Sequence, residues 1–440
     1  MLKDRPVPQI GKLFVGQRSA LFGCLSLALL MLFAWLSYSY YRMMQWPVIV
    51  LWQLGFVLFG VWCIVQLRQF KQPFLLLGHG LDVMVGITLL GIGLSSWLAP
   101  FRAVALWNGV FVLSYALVLY GLHNGIKRNG FSIRRVWWGV ATMAITNAVI
   151  SLAHWRPSPD MWQGANFASA IRNAQPLGHH NFEGGYLVLS FPLVVALAQA
   201  AHGWQRWLAT GGAFLIGVAT YVSGSRGAAL GLVAWLAVTL VLRMVNHPGK
   251  HRRRQAVFSI GVLAIALGVM VSNPRIRTTL QVILGGQGLD LTQLSYADGP
   301  LLDRVFMAQA GINIFRDYPW LGVGPGNISR LFNLYRPIEV VNGLDHVQQL
   351  HNTPIHLLAE LGIFGLGLYA AWGILVGRLG WRLFRHLSPE REGRGSVPKG
   401  YRVLLMGICG SFLAYGVSSL TDYQLDNIPI TLTLITIVVL

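Results

Sequence analysis

The chain has 440 residues, 54% of them hydrophobic and only 11% charged, with a mean hydropathy of +0.55. A soluble domain of this length could not cover its surface with so few polar groups, so the composition excludes a soluble globular protein and describes an integral membrane protein. The formal charge of +19 is accounted for by the positive-inside rule and anionic headgroups rather than by nucleic acid.

A membrane-spanning helix needs about 20 predominantly apolar residues. In chain order such stretches fall near 19–41, 46–67, 76–98, 103–123, 136–154, 183–201, 205–222, 226–245, 256–272, 355–378, 401–419 and 426–440. The expected fold is therefore an all-α polytopic membrane protein of about twelve transmembrane helices, with residues 1–440 forming one membrane domain. The first apolar run begins near Ser19 without a small-residue cleavage site, which reads as a retained span rather than a removed signal peptide. Cys24, Cys63 and Cys409 all sit inside apolar runs, where they pack rather than build a disulfide framework. There is no internal repeat, and only the short polar stretch 388–400 resembles a linker.

Loop charges orient the spans. With the N-terminus cytoplasmic, the dense basic clusters, Arg252, Arg253 and Arg254 among them, fall on the cytoplasmic side together with all six lysines (Lys3, Lys12, Lys71, Lys127, Lys250 and Lys399). The opposite face carries arginine as its basic residue, including Arg172, Arg226, Arg275, Arg304 and Arg336. Guanidinium holds its charge and its rigid fork matches phosphate oxygens, so an outer face with arginine and no lysine suits a phosphorylated substrate. Two outer segments are too long to be connectors, 156–182 and 273–353, and loops of that length are usually functional or structured. In the larger one, Leu302, Val305, Phe306, Ile312 and Phe315 repeat at helical spacing, which predicts an amphipathic helix at the membrane surface ended by Pro319 and the turn LGVGPGN at 321–327.

Candidate chemistry lies at the outer ends of the later spans. In LGHHNFEGGYL (177–187), His179, His180, Asn181 and Glu183 suit sugar hydroxyls; with Asp345 and His346 they would also suit a metal, although no local spacing favours one. YVSGSRGAALG (221–231) breaks one span and opens the next, with Ser223 or Ser225 as the cap. Arg226 then stands in the first turn, where a cation opposes the helix dipole, so it either binds an anion with the helix N–H groups or snorkels to headgroups. Arg304 opens the amphipathic helix beside Asp303, either as a surface pair or as a second anion contact. DHVQQLHNTPIHLLAELGIFG (345–365) enters a span with Asn352 or Thr353 as cap and Pro354 in the first turn, which leaves His351 at the boundary. A neutral imidazole there is a candidate general base, or it only bonds the helix entrance. His356 and Glu360 follow, and a carboxyl that deep must face the protein interior. Arg336, Asp422 and Asp426 are further outer polar groups, the aspartates on one side in TDYQLDN and suited to arginine.

Taken together, the SRGA break at Arg226, the Arg304 segment ending in PWLGVGPGN, and HNTPIHLLAELGIFG from His351 resemble the hallmark segments of the O-antigen ligase superfamily, which also holds O-antigen polymerases and bacterial protein O-oligosaccharyltransferases. The resemblance covers roughly residues 170–380 well and the first spans by topology alone. It implies a GT-C-like fold in the bacterial inner membrane with a periplasmic site. The donor would be a glycan on undecaprenyl diphosphate and the acceptor a sugar hydroxyl of the lipid A–core oligosaccharide. His351 would be the base and Arg226 and Arg304 would stabilise the diphosphate in an inverting displacement, with Asn352, His180, Asn181, Arg336 and Asp422 binding substrate. No cofactor, nucleotide, nucleic-acid partner or second protomer is expected. The outer loops near 42–45 and 99–102 hold no carboxylate, and arginine can neutralise the leaving group, so a metal-independent enzyme is expected. A polymerase or protein transferase would use the same donor; the end of the chain in a span, without a further periplasmic domain, leans toward the ligase. A lipid-linked-glycan transporter is the competing class. Its halves should be alike and both should carry intramembrane charge, whereas the first five spans here hold only Asp82 near an end.

Overall fold

A computed structural model describes residues 54, 57, 60, 74–128, 133–157, 171–246, 252–284, 299–337, 347–386 and 399–440. These residues form helices and no strands: α1 (Leu81–Leu98), α2 (Arg102–Arg128), α3 (Ile133–His154), α4 (His180–Ala200), α5 (Gly203–Ser223), α6 (Arg226–Asn246), α7 (Arg252–Ser272), α8 (Pro274–Leu284), α9 (Gly299–Asp317), α10 (Ile328–Tyr335), α11 (Thr353–His386), α12 (Lys399–Ser419) and α13 (Ile428–Val439). The architecture is all-helical and polytopic. Six helices, α1, α2, α3, α4, α11 and α12, are long and apolar enough to cross a membrane, and the bent pair α7–α8 would make a seventh. A helix stands at each of the other expected positions from residue 76 onward, those of α5, α6 and α13 being shorter or less apolar. The expected span at 19–41, all of the 46–67 span except the helical Leu54, Val57 and Gly60, and loop residues 158–170, 285–298 and 338–346 lie outside the described residues.

Helix α4 is the axis of the bundle. Its apolar window is 83% buried, against 28–44% for the other five spans, so it meets protein on nearly every side while the others leave much of their apolar surface uncovered. It packs on α3, α5, α6, α12 and α13, and the indole of Trp137 on α3 donates to its Leu193 carbonyl at 3.1 Å. Leu187, Leu189, Leu193 and Val194 fill the main core with Ala144, Ile216 and Leu432. Small residues set the close approaches: a Cβ on Gly184 would lie 2.4 Å from that of Ser225, and one on Gly185 2.0 Å from the Gln424 side chain.

A second, smaller core joins α9 and α10 to the start of α11. A helix stands where the amphipathic one was expected, but its buried face is Leu302, Phe306, Met307, Ala310 and Ile314, whereas the apolar Val305 and Ile312 are exposed. Its partner, α11, is broken at Gly362, where φ 65 and ψ −156 leave the helical region. That backbone conformation is open essentially to glycine alone. The turn 319–324 occupies the break and takes over its hydrogen bonds. Val323 and Gly324 donate to the carbonyls of Ala359 and Glu360 at 3.1 and 2.8 Å, and Ile363 donates to Pro319 at 2.8 Å.

Candidate active site

Five chain segments meet at one end of the bundle. Helix α5 ends at Gly224, whose φ of 60 is left-handed and where a Cβ would lie 2.1 Å from the Ile171 carbonyl oxygen. Ser225 then caps α6, its Oγ accepting from the Ala228 amide at 3.4 Å, so Arg226 is the first helical residue. A cation in the first turn opposes the helix dipole and gains nothing from it. Arg275 arrives by a different device. Asn273, at the 92° bend between α7 and α8, accepts the Arg275 amide at 3.1 Å and donates to the Tyr221 carbonyl at 3.2 Å. This fixes the start of α8 against the end of α5. The 171–179 segment is fastened by Asn173, whose amide donates to the Val222 carbonyl at 3.1 Å while its side chain donates to Ser151.

The result is a cavity of about 120 Å³ lined by Arg172, Arg226, Arg275 and Arg304, by His179, His180 and His351, and by Asn181, Asp303 and Met307. Four guanidinium groups face one lining carboxylate. This excess of positive charge suits the cavity to an anion. Arg172 donates from Nε to Nδ1 of His180 at 3.5 Å.

His351 places an imidazole on the cavity wall. The side chain of Asn352 accepts from the Ile355 amide at 2.9 Å and donates to the Leu420 carbonyl at 2.8 Å. Thr353 donates to the Asp422 carbonyl at 2.7 Å. These contacts hold His351 at a φ of 48, a strained value for a non-glycine residue. Its Nδ1 lies 2.5 Å from Oδ1 of Asp422, with side-chain exposures of 23% and 3%: the histidine faces the cavity and the aspartate stands behind it. Burial alone would raise the Asp422 carboxyl, but its pairing with His351 by charge and hydrogen bond, and the Arg304 guanidinium, bring it below its ordinary value. An ionised Asp422 holds the proton on Nδ1, which leaves Nε2 as the acceptor.

Of the residues singled out from sequence, His351, Arg226, Arg304, His180 and Asn181 line the cavity together. Asn352 is a helix cap beside it, and Asp422 stands behind His351, bonded to it, to its own Tyr423 amide and to Gln424. Arg336 follows α10 and is not among the lining residues. Asp426 pairs with Gln349 rather than with an arginine. Glu360 accepts from the Gly326 amide at 2.6 Å and lies 3.3 Å from Nε2 of His356, which makes it a brace between two segments. Asp345 and His346 lie outside the described residues. Among the described residues no three His, Cys, Asp or Glu side chains are grouped to hold a metal. The lining positions of Arg172 and Arg275 carry no local motif, and the one available signal was their place among the outer arginines.

Residues 211–370 match the family model described as O-antigen ligase. That stretch contains Arg226, Arg275, Arg304 and His351, and over it the chain is similar to the family already suggested by its sequence segments. The match leaves out the 171–181 segment and Asp422. No curated protein matches the chain significantly.

Proposed function

We propose that this O-antigen ligase domain works within a membrane glycosyltransferase that moves a glycan from undecaprenyl diphosphate to a sugar hydroxyl of lipid A–core on the periplasmic face of the inner membrane. The observation that carries the reading is a histidine fixed by a buried aspartate in the same cavity as four arginines. The acceptor hydroxyl gives its proton to Nε2 of His351 while its oxygen attacks the anomeric carbon. The bond from that carbon to the diphosphate oxygen breaks, undecaprenyl diphosphate leaves, and the configuration inverts. Negative charge grows on the leaving diphosphate, where Arg226 and Arg304 stabilise it in a poorly hydrated pocket. Arginine supplies this neutralisation without a divalent ion, so the enzyme needs no metal. His180 and Asn181 contact the sugars, and Asp422 acts through His351. The whole chain is one membrane unit of about twelve spans with a cytoplasmic N-terminus. Its outer segments 156–182 and 273–353 contribute to the site.

The test is transfer by the purified protein in EDTA, from undecaprenyl-diphosphate glycan to rough lipopolysaccharide, with His351→Ala alongside. Activity in the parent and a loss of at least 100-fold in the variant is the expected result. Activity that vanishes in EDTA and returns with Mg²⁺ or Mn²⁺ would refute the metal-free mechanism. Transfer only to a growing lipid-linked glycan, or only to Ser or Thr of a peptide, would replace the ligase by a polymerase or a protein transferase.

A further inference from the structure

The hydrogen bond from Nδ1 to Asp422 fixes the tautomer of His351 and, together with the Cβ–Cγ bond, sets where its ring lies, leaving only rocking about that contact. A base must aim its Nε2 lone pair, so a neighbour that resists the rocking sharpens the aim. The ring of His179 lies against it, with centroids 5.7 Å apart and planes 25° from parallel.

His179 is itself immobilised. It is the N-cap of α4, and its Nδ1 accepts the Asn181 amide at 3.4 Å. With that lone pair committed, the single ring proton sits on Nε2, and a second proton would cost the cap. On its other sides it meets the rings of His180 and Phe182 at 4.7 and 5.1 Å. The charged groups facing the pair are Asp422 behind His351 and the guanidiniums of Arg172 and Arg304, with Arg226, Arg275 and Asp303 completing the cavity.

We infer that His179 is a positioning residue for the transfer: a permanently neutral imidazole that holds the ring plane of His351 and presents a π face to the imidazolium formed when His351 takes the acceptor's proton. Among so many guanidiniums a second cationic imidazole would oppose that step, whereas a neutral ring favours it. Burial, reinforced by His351, Arg172 and Arg304 and opposed by Asp422, brings His179 down to about 4, in keeping with a ring that stays neutral while His351 cycles.

The inference rests on His351 being the base, and its test separates the two ideas. His179→Asn keeps a good N-cap but removes the ring, and His179→Phe restores a flat face without the cap. Two readouts are taken on folded protein of unchanged elution: steady-state transfer, and titration of the His351 imidazole by NMR of histidine-labelled protein, assigned with His351→Ala. In His179→Asn, kcat should fall about ten-fold or more with the donor KM held within about two-fold. The His351 midpoint should move down by roughly half a pH unit. His179→Phe should recover most of both. An unmoved midpoint in His179→Asn, or a Phe variant as slow as the Asn variant, overturns the inference and leaves His179 as a helix cap. If His351→Ala stays active, the base assignment has failed instead, and the titration still decides whether the two rings are coupled.

Discussion

The backbone amide of Gly326 donates a 2.6 Å hydrogen bond to Oε1 of Glu360. This contact joins the glycine-rich turn to the first half of the broken helix, two of the three segments that carry the family resemblance. Glu360→Ala strands that amide and the His356 imidazole in a buried setting, which should lower stability by about 1–3 kcal/mol. Glu360→Gln retains an acceptor and should lose less. Melting in detergent of the two variants against the parent measures the difference.

The His351–Asp422 pair has a separate signature. Asp422→Asn keeps the volume but no longer requires the proton to sit on Nδ1, so kcat should fall by about 10²–10⁴-fold with little change in donor KM. Asp422 sits below its ordinary carboxyl value of 3.8. The stability it contributes is therefore complete above that value and is lost as pH falls through the lower native one. Acid melting curves of Asp422→Asn and parent should converge only below about pH 4.

Asp426 runs the other way. Burial pushes its carboxyl up to about 6, against His356 and Gln349, which favour the charge. A raised carboxyl stabilises the fold at low pH, and that contribution is lost as pH rises through about 6. Asp426→Asn should therefore gain melting temperature relative to the parent between pH 5 and 7 and little below, which a pH series of melts will show.

The four arginines are not interchangeable with lysine. Arg226→Lys keeps the charge but loses the fork, and should cost about ten-fold in kcat, with Arg226→Ala costing about 10²–10³-fold. Arg172→Ala and Arg275→Ala should act mainly on donor KM and weaken inhibition by inorganic pyrophosphate. Inhibition curves of equal strength in parent and variants would remove both residues from the anion site.

Gly362→Ala places a Cβ 2.4 Å from the Trp320 carbonyl carbon in a backbone conformation closed to alanine. Yield of folded protein after detergent extraction should drop sharply, and a normal yield would contradict the tight insertion of the 319–324 turn.

What the sequence made legible was local. Apolar length marked the long helices from residue 76 onward but not α8 or α10, which lie in the 273–353 segment, and the Ser-Gly-Ser-Arg break and the Asn352 cap fell where their residue types require. The face of α9 was harder: Val305 and Ile312 fit a helical repeat, yet the buried stripe runs through Met307, Ala310 and Ile314, because Leu350, just before α11, and Ile355 in its first turn choose the contact. Asp422 could not be assigned to His351, since 71 residues separate them and α11 and α12 must first fold back on each other. Arg275 reaches the cavity only because the chain turns by 92° at Asn273; the Asn273–Pro274 pair marks a break there but not its angle or direction.

The break at Gly362 also bears on how the entrance to α11 is held. His351 stands just before the short piece of α11, and the 319–324 turn bonds to both sides of the break: it donates to Ala359 and Glu360 and accepts from Ile363 and Phe364. The two pieces are therefore stitched to each other through the turn rather than hinged. A change of direction in the long piece must carry the glycine-rich turn with it, so the entrance to α11 answers to that turn as much as to its own helix.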